Sequence, residues 1–436
     1  MTGLARPANG ATMAPKGAPA PSVNGAIPRP GETTSVTAPA AASPRLFAEP
    51  DFVRLWSIGL IVFLVRWLEL LAVSLFVYQA TGSAFLVTMM GMLRILPLGL
   101  FGAILGAVAE RVEARSALIA IVAVSLLTSL ALAVLALAGM LAVWHLAVAS
   151  FINGLGWAAD NPVRRMMIGQ VVGMARMGAA MSADVGSNNA SRMLGPTLSG
   201  LIFATVGIEG AFIASVLLYL LAVFAALGLR TRSGVQPATG EGVLARIAEG
   251  LAVVRRDPRL VGTLVVTIIF NIFGWPFTSL IPVVGQDHLH LGPQAIGLLA
   301  SMDGVGAFAG ALAMAAWVTP AVYARCYLGG IAIYFVMLVA FALAPNAWLA
   351  GAALLFTGLG QAGFSIMQAT LVYMLAPAEV RSRVLGLLSV CIGIGPVGFV
   401  HIGLLADAIG AQWACVISGI EGLLALLLTR RLWKHI

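Results

Sequence analysis

The sequence predicts an all-α integral membrane protein, with twelve transmembrane helices in two six-helix pseudo-symmetric bundles. Three observations predict this class: an apolar excess too large for a soluble core, about twelve apolar runs of bilayer-spanning length, and a lopsided distribution of arginine and lysine. Of 436 residues, 60% are hydrophobic and only 10% are charged, with a mean hydropathy of +0.99. A soluble domain carries about 25% charged residues. Strand-like alternation is scarce, so the runs read as helices rather than barrel strands.

Each predicted span is an apolar run long enough to cross the hydrocarbon layer, which takes about 20 residues. The runs are bounded by charge clusters, Gly/Pro and polar breaks. In order they cover 52–79, 84–108, 115–139, 141–159, 177–205, 209–229, 259–284, 293–317, 323–343, 347–375, 382–406 and 411–429. The longest internal break, 230–258, reads as a cytoplasmic linker between an N-terminal bundle (47–229) and a C-terminal bundle (259–436), the pattern of a chain built from repeats. A weak internal repeat agrees. GLIFATVG (200–207) closes the fifth run and GLLADAIG (403–410) the eleventh, each preceded by a Gly-Pro pair, Gly195-Pro196 and Gly395-Pro396. Residues 1–46 are rich in Ala, Pro, Gly, Ser and Thr and hold no hydrophobic block. They read as a disordered cytoplasmic tail rather than a signal peptide.

Orientation follows from the basic residues. The breaks near Arg111/Arg115, Arg164/Arg165, Arg230 to Arg259, Arg325 and Arg381/Arg383 are basic, as are both termini. The alternate breaks YQATGSA, GMLAVW, TVGIEGA, QDHLHLGP, LAPNAW and DAIGAQ contain neither Arg nor Lys. This asymmetry predicts cytoplasmic termini in a bacterial-type inner (plasma) membrane. It also accounts for the net charge of +8 without nucleic acid, since the basic residues border spans and form no aromatic-interleaved platform. Cys326, Cys391 and Cys415 lie in apolar stretches without metal-ligand spacing and read as packing residues; no metal or cofactor is expected. His288 and His290 read as solvated loop residues. No Gly-rich phosphate loop follows a strand, and the only lysines are Lys16 and Lys434, which disfavours an ATP-driven pump; no catalytic residue and no enzyme activity are expected.

Several short stretches carry a resemblance. FVRLW (52–56) opens the first span and TGSA (81–84) forms the first outer loop. GAVAERVEAR (106–115) has Gly, three residues and an acidic-basic pair, with Glu110 where Asp is usual and Glu113 interrupting the basic run. DNPVRR (160–165), NNASRMLGPTLSG (188–200), PAEVRSRVLG (377–386) and GIGPVG (393–398) complete the set. In these, from about Phe52 to the C-terminus, the chain resembles the major facilitator superfamily, in the branch that includes enterobactin exporters and related drug exporters. The matching loop of the second half, ALAMAAWVTPAVYAR (311–325), lacks the acidic-basic pair. The resemblance implies a secondary transporter working by alternating access. Spans three, six and nine then face lipid, and spans one, two, four, five, seven, eight, ten and eleven surround a central cavity. It also implies export of a small organic compound driven by proton antiport.

Ionisable groups inside spans mark candidate sites, since each costs about 2.5–3.5 kcal/mol at the bilayer centre. The substrate and coupling candidates are Arg66 and Glu69 in span one, Arg94 in span two, Asp184 and Arg192 in span five, Asn271 in span seven, Asp303 in span eight and Gln361 in span ten. Two readings stay open. In one, the arginines pair with Glu69, Asp184 and backbone carbonyls and fix helix register. In the other, they hold an anionic part of the substrate while an acid exchanges a proton. Arg66 and Glu69 stand three apart and are expected to pair. Asp303 has no basic neighbour on its own helix, although Arg192 can approach it from span five, and it ranks first as the proton site. Glu110, Arg111, Arg115, Arg381 and Arg383 lie at cytoplasmic helix ends and are gating candidates. Glu421, in span twelve, has no assigned partner. The expected partners are a small-molecule substrate, protons and the bilayer, with the chain acting as a monomer. Rival readings are an importer or symporter of an anionic metabolite and a non-transporting receptor or assembly protein on the same fold.

Overall fold

A computed structural model describes residues 46–231, 243–377 and 380–436, with side chains outside 103–104, 106–111, 243–248 and 382. The expected disordered tail, Leu46 apart, and the side chains of Glu110 and Arg111 therefore fall outside the described residues. Among the described residues the chain is helical throughout, with no strand. The first half comprises α1 (Pro50–Thr81), α2 (Ala84–Arg111), α3 (Ala114–Leu137), α4 (Val143–Val206) and α5 (Ile208–Leu227). After α6 (Val243–Val254) come α7 (Pro258–Ile269), α8 (Ile281–Asp287), α9 (Pro293–Trp317), α10 (Tyr323–Ala342) and α11 (Ala347–Leu375). The chain ends with α12 (Arg381–Ile392), α13 (Gly395–Ile409), α14 (Ala411–Leu428) and α15 (Arg430–Trp433).

Local chemistry sets many boundaries. α1 opens with Pro50, whose missing N–H is no loss in a first turn, and closes at Gly82, in the left-handed region with φ 63°. The Ser83 and Asn346 side chains cap α2 and α11, accepting from the backbone N–H of Leu86 at 3.2 Å and of Leu349 at 3.0 Å.

Among the described residues ten helical stretches are long and apolar enough to cross a membrane, and α4 supplies two further passes. Its regular backbone breaks at Gly173, with φ 69° and ψ 171°, a conformation open to glycine and strained for other residues. The chain reverses there. Arg164, before the break, pairs with Asp184, after it; twenty residues of straight helix would hold them about 30 Å apart. The twelve passes match the expected number, while three details differ from the sequence reading. The fourth pass, expected to end at 159, runs on to the break at Gly173, so DNPVRR is helical rather than a loop. The seventh pass is not one α-helix: a π-turn (Phe270–Gly274) and a 3-10 segment (Trp275–Leu280) containing Pro276 separate α7 from α8. The eleventh pass breaks between α12 and α13, just before Pro396. In both, a proline that cannot donate an intrahelical bond sits at the irregularity. The 230–258 break is also partly helical: α6 packs on α12, where Arg383 pairs with Glu249.

Within the halves the main neighbours are α1, α2 and α4 on one side and α9, α10 and α11 on the other. Gly306 of α9 and Gly358 of α11 let two backbones touch; a Cβ on either would overlap the carbonyl oxygen of Leu355 or Asp303. Large exposed apolar side chains crowd α3 (Leu127, Val134, Leu137), α5 (Leu217, Leu221, Phe224) and α10 (Ile333, Val336), the faces that meet lipid. The second arm of α4 packs on α9, and α2 on α13, joining the halves. An even number of passes leaves the start of α1 and the end of α14 at one end of the bundle, here the terminal end. Asp51 of α1 ties it to the end of α5 by accepting from the backbone N–H of Thr231 at 2.9 Å.

Candidate functional site

A cavity of about 310 Å³ lies between the halves at mid-depth. The first half contributes Phe63, Arg66 and Trp67 from α1, Arg94 from α2, Trp157, Asn161 and Arg165 from the first arm of α4, and Asn188, Asn189 and Arg192 from the second. The second half contributes Trp275, Thr278 and Ser279 from the broken seventh pass, Gln361 and Ser365 from α11, and Phe399 from α13. Four arginines and no carboxylate are among the described residues that line it.

Arg66 and Glu69 do not form the expected pair. Residues three apart on a helix point about 60° from one another, and each of these two takes a different neighbour. Glu69 turns to α3 and α4, where the Ser129 hydroxyl donates to it at 2.7 Å and the Asn153 amide at 3.1 Å. Arg66 turns into the cavity, its guanidinium 4.6 Å from the centre of the Trp157 ring. It makes no hydrogen bond or ion pair with any described residue, and Arg94 Nε is likewise buried without a partner.

Asp184 also has partners other than those expected. The arginines of spans one, two and five do not reach it. It binds Arg164 and Arg165 of the opposite arm of α4, the latter at 3.4 Å, and Arg164 Nε lies 3.3 Å from Asp160 as well. Arg164 is fully buried. In the sequence it reads as a loop charge obeying the positive-inside rule. The signal that was available is the i,i+4 spacing of Asp160 and Arg164 within DNPVRR, a helical pair.

Arg192 reaches across the halves and binds both Asp303 of α9 and Gln361 of α11. The approach of Arg192 to Asp303, open in the sequence reading, is thus made. Beside it Thr197 and Ser301 share a hydrogen bond of 2.7 Å. Further toward the end opposite the termini, the Tyr78 hydroxyl donates to Asp287 and that of Ser83 to Asp407, the latter at 3.4 Å. Asn271 stands behind the cavity wall, donating to the Thr267 carbonyl at 2.9 Å, and Gln368 donates to the Thr267 hydroxyl at 2.8 Å.

Of the gating candidates with described side chains, Arg115 donates to the Leu227 carbonyl at 2.9 Å and so caps α5. Arg381 lies over the Tyr373 ring at 4.1 Å, and Arg383 pairs with Glu249 of α6. Glu421, without an account in the sequence, meets His401 at 2.7 Å across the turn between α13 and α14. His288 contacts the Ala344 carbonyl at 3.0 Å.

Twelve apolar passes enclosing a polar cavity at the junction of two halves define the class: this is a multi-pass membrane transporter of the major facilitator superfamily, not an enzyme. More narrowly, residues 41–434 match the transmembrane secretion effector family, and the chain belongs to it. Among curated relatives, macrolide efflux protein A of Streptococcus pyogenes is 21% identical over 255 residues, which span 57% of this chain and 62% of that protein. Macrolide efflux protein A of Enterococcus faecalis is 22% identical over 50% of this chain and 68% of its own length. Among solved structures, the POT family transporter PepTSo superposes with a TM-score of 0.74 at 11% identity, over 89% of this chain and 98% of that one. A bacterial homologue of the lysosomal transporter Spinster gives 0.69 at 13% identity, over 90% and 98%.

Proposed function

We propose that the protein is a secondary active exporter of a small organic solute, driven by proton antiport and working by alternating access between two rigid halves, 47–229 and 259–436. The observation that carries the reading is the contact of Arg192 with Asp303 and Gln361, which bridges the halves beside the cavity. Protonation of Asp303 removes its charge and leaves Arg192 held only by an amide. Breaking a buried pair costs about 3–5 kcal/mol. That is comparable to the roughly 5.5 kcal/mol that carries a two-state equilibrium from 1:99 to 99:1. Proton binding at this one carboxylate is therefore large enough to couple to a switch of the halves.

The macrolide efflux relatives support export and a bacterial plasma membrane. The basic breaks at the terminal end support cytoplasmic termini. The hydrogen bonds between described residues of the two halves lie at mid-depth and toward the opposite end, which supports a state closed to the outside. A cavity assembled within one chain supports a monomeric working unit. The test is Asp303→Asn in reconstituted vesicles under an imposed pH gradient, with a solute found by thermal stabilisation of the purified protein. The expected outcome is normal yield with proton-driven flux lost; undiminished gradient-driven flux rejects the assignment.

A further inference from the structure

The four arginines of the cavity are not equally satisfied. Arg192 is held by Asp303 and Gln361, and Arg165 by Asp184. Arg66 and Arg94 are each only 8% exposed, yet neither makes a hydrogen bond or ion pair with a described residue. Both border a small recess that also holds Asp160, whose carboxylate is taken by Arg164. Glu69, on the same helix as Arg66, already accepts from Ser129 and Asn153. A guanidinium keeps its charge when buried, and an uncompensated buried charge is costly. Two such groups facing one cavity form a site whose missing component is an anion.

The rest of the wall limits the kind of anion. Arg66 lies over Trp157, and Trp157 meets Trp275 edge-on, with ring centres 6.2 Å apart, so indoles from both halves form an angled apolar panel beside the guanidinium groups. Phe63 and Phe399 extend it. A small inorganic ion would leave this panel bare. A basic macrolide would bring its ammonium group to a wall of arginines without a carboxylate to receive it.

We infer that this cavity binds an amphipathic aromatic anion, an aryl carboxylate or sulfonate, with its acid group on Arg66 and Arg94 and its ring against Trp157 and Trp275. The inference rests on the reading of this cavity as the substrate site. Guanidinium suits the role because its planar fork matches a carboxylate or sulfonate through paired hydrogen bonds.

The test measures binding to purified, unenergised protein, by thermal shift and by quenching of tryptophan fluorescence. The probes are 1-naphthoate, 1-naphthalenesulfonate, the neutral 1-naphthamide, and erythromycin as the basic macrolide. The two anions are expected to raise Tm and to compete with each other, with 1-naphthamide binding at least about tenfold more weakly. Arg66→Gln and Arg94→Gln should each weaken the anions about tenfold or more and leave 1-naphthamide unchanged, and Arg66→Lys should retain part of the affinity. If a glutamine variant does not fold, the carboxylate-amide comparison on the unaltered protein decides alone. Equal binding of naphthoate and naphthamide overturns the inference, as does binding of erythromycin with no response to either anion. Because no gradient is present, failure of proton coupling at Asp303 appears as lost flux with anion binding intact, whereas failure here appears as charge-blind binding whatever the flux.

Discussion

Arg164 lies fully buried between Asp160 of its own arm and Asp184 of the other arm of α4. Removing it leaves two carboxylates facing each other out of water, with only the half-exposed Arg165 nearby. Arg164→Met is expected to destabilise the protein by about 3–5 kcal/mol, read as a lower Tm in detergent, with Arg164→Lys recovering part of the loss. A Tm within a degree or so of the unaltered protein would show the cluster to be dispensable. Arg66 and Glu69 give the opposite expectation. They share a helix but not a contact, so a double-mutant cycle of Arg66→Ala and Glu69→Gln should give a coupling energy well below the about 3–5 kcal/mol of a buried ion pair; a coupling of that size would restore the direct pair. At this scale the sequence reveals which residues are expensive to bury and hides what compensates them. Spacing shows that two side chains share a helix face. It does not show that Ser129 and Asn153, on two other helices, take the carboxylate first.

The hairpin of α4 illustrates the same limit one level up. The sequence marks Gly173 only as one small residue in a run of small and long-chain ones, and its left-handed backbone follows from the arms that meet on either side. A Cβ at Gly173 meets nothing within 4 Å, so substitution there strains the backbone alone. Gly173→Ala should cost about 1–3 kcal/mol. Gly178→Ala, equally free of neighbours but inside regular helix, should be neutral or stabilise by up to about 1 kcal/mol. Equal effects in thermal melts would mean that the turn tolerates a side chain. Legibility was better where bilayer thickness dictates length: the twelve apolar runs correspond to the passes. The breaks in the seventh and eleventh passes were legible only as Pro276 and Pro396, because a proline permits several local geometries and packing selects one.

For the whole molecule, the halves meet by direct backbone contact toward the end opposite the termini, and the proposed closure there rests on it. A Cβ on Gly200 would lie 2.5 Å from the Pro293 carbonyl oxygen and 2.9 Å from Gly297 Cα, so the two helices meet without side chains between them. Gly297→Val is expected to force this end apart. Spin labels at Gln79 and His290, both exposed positions, should then report longer distances than in the otherwise unaltered protein; an unchanged distribution would reject a closing role for this contact. That the two halves meet here was not legible, since nothing in the run around Gly200 names its partner. The identity of the cavity was partly legible. Arg66, Arg94, Arg192 and Gln361 all line it, while Asp184, Asn271 and Glu69 stand in or behind its walls as supports.

The Trp157–Trp275 pair is made of one residue from each half, ring centres 6.2 Å apart and planes at 80°. Two indoles this close and this inclined couple their electronic transitions and give a signed signal in near-ultraviolet circular dichroism. Any motion that parts the halves at mid-depth must weaken that signal, so the molecule carries its own optical gauge of conformation. The state of an unlabelled protein can therefore be followed in time as pH or ligand is changed.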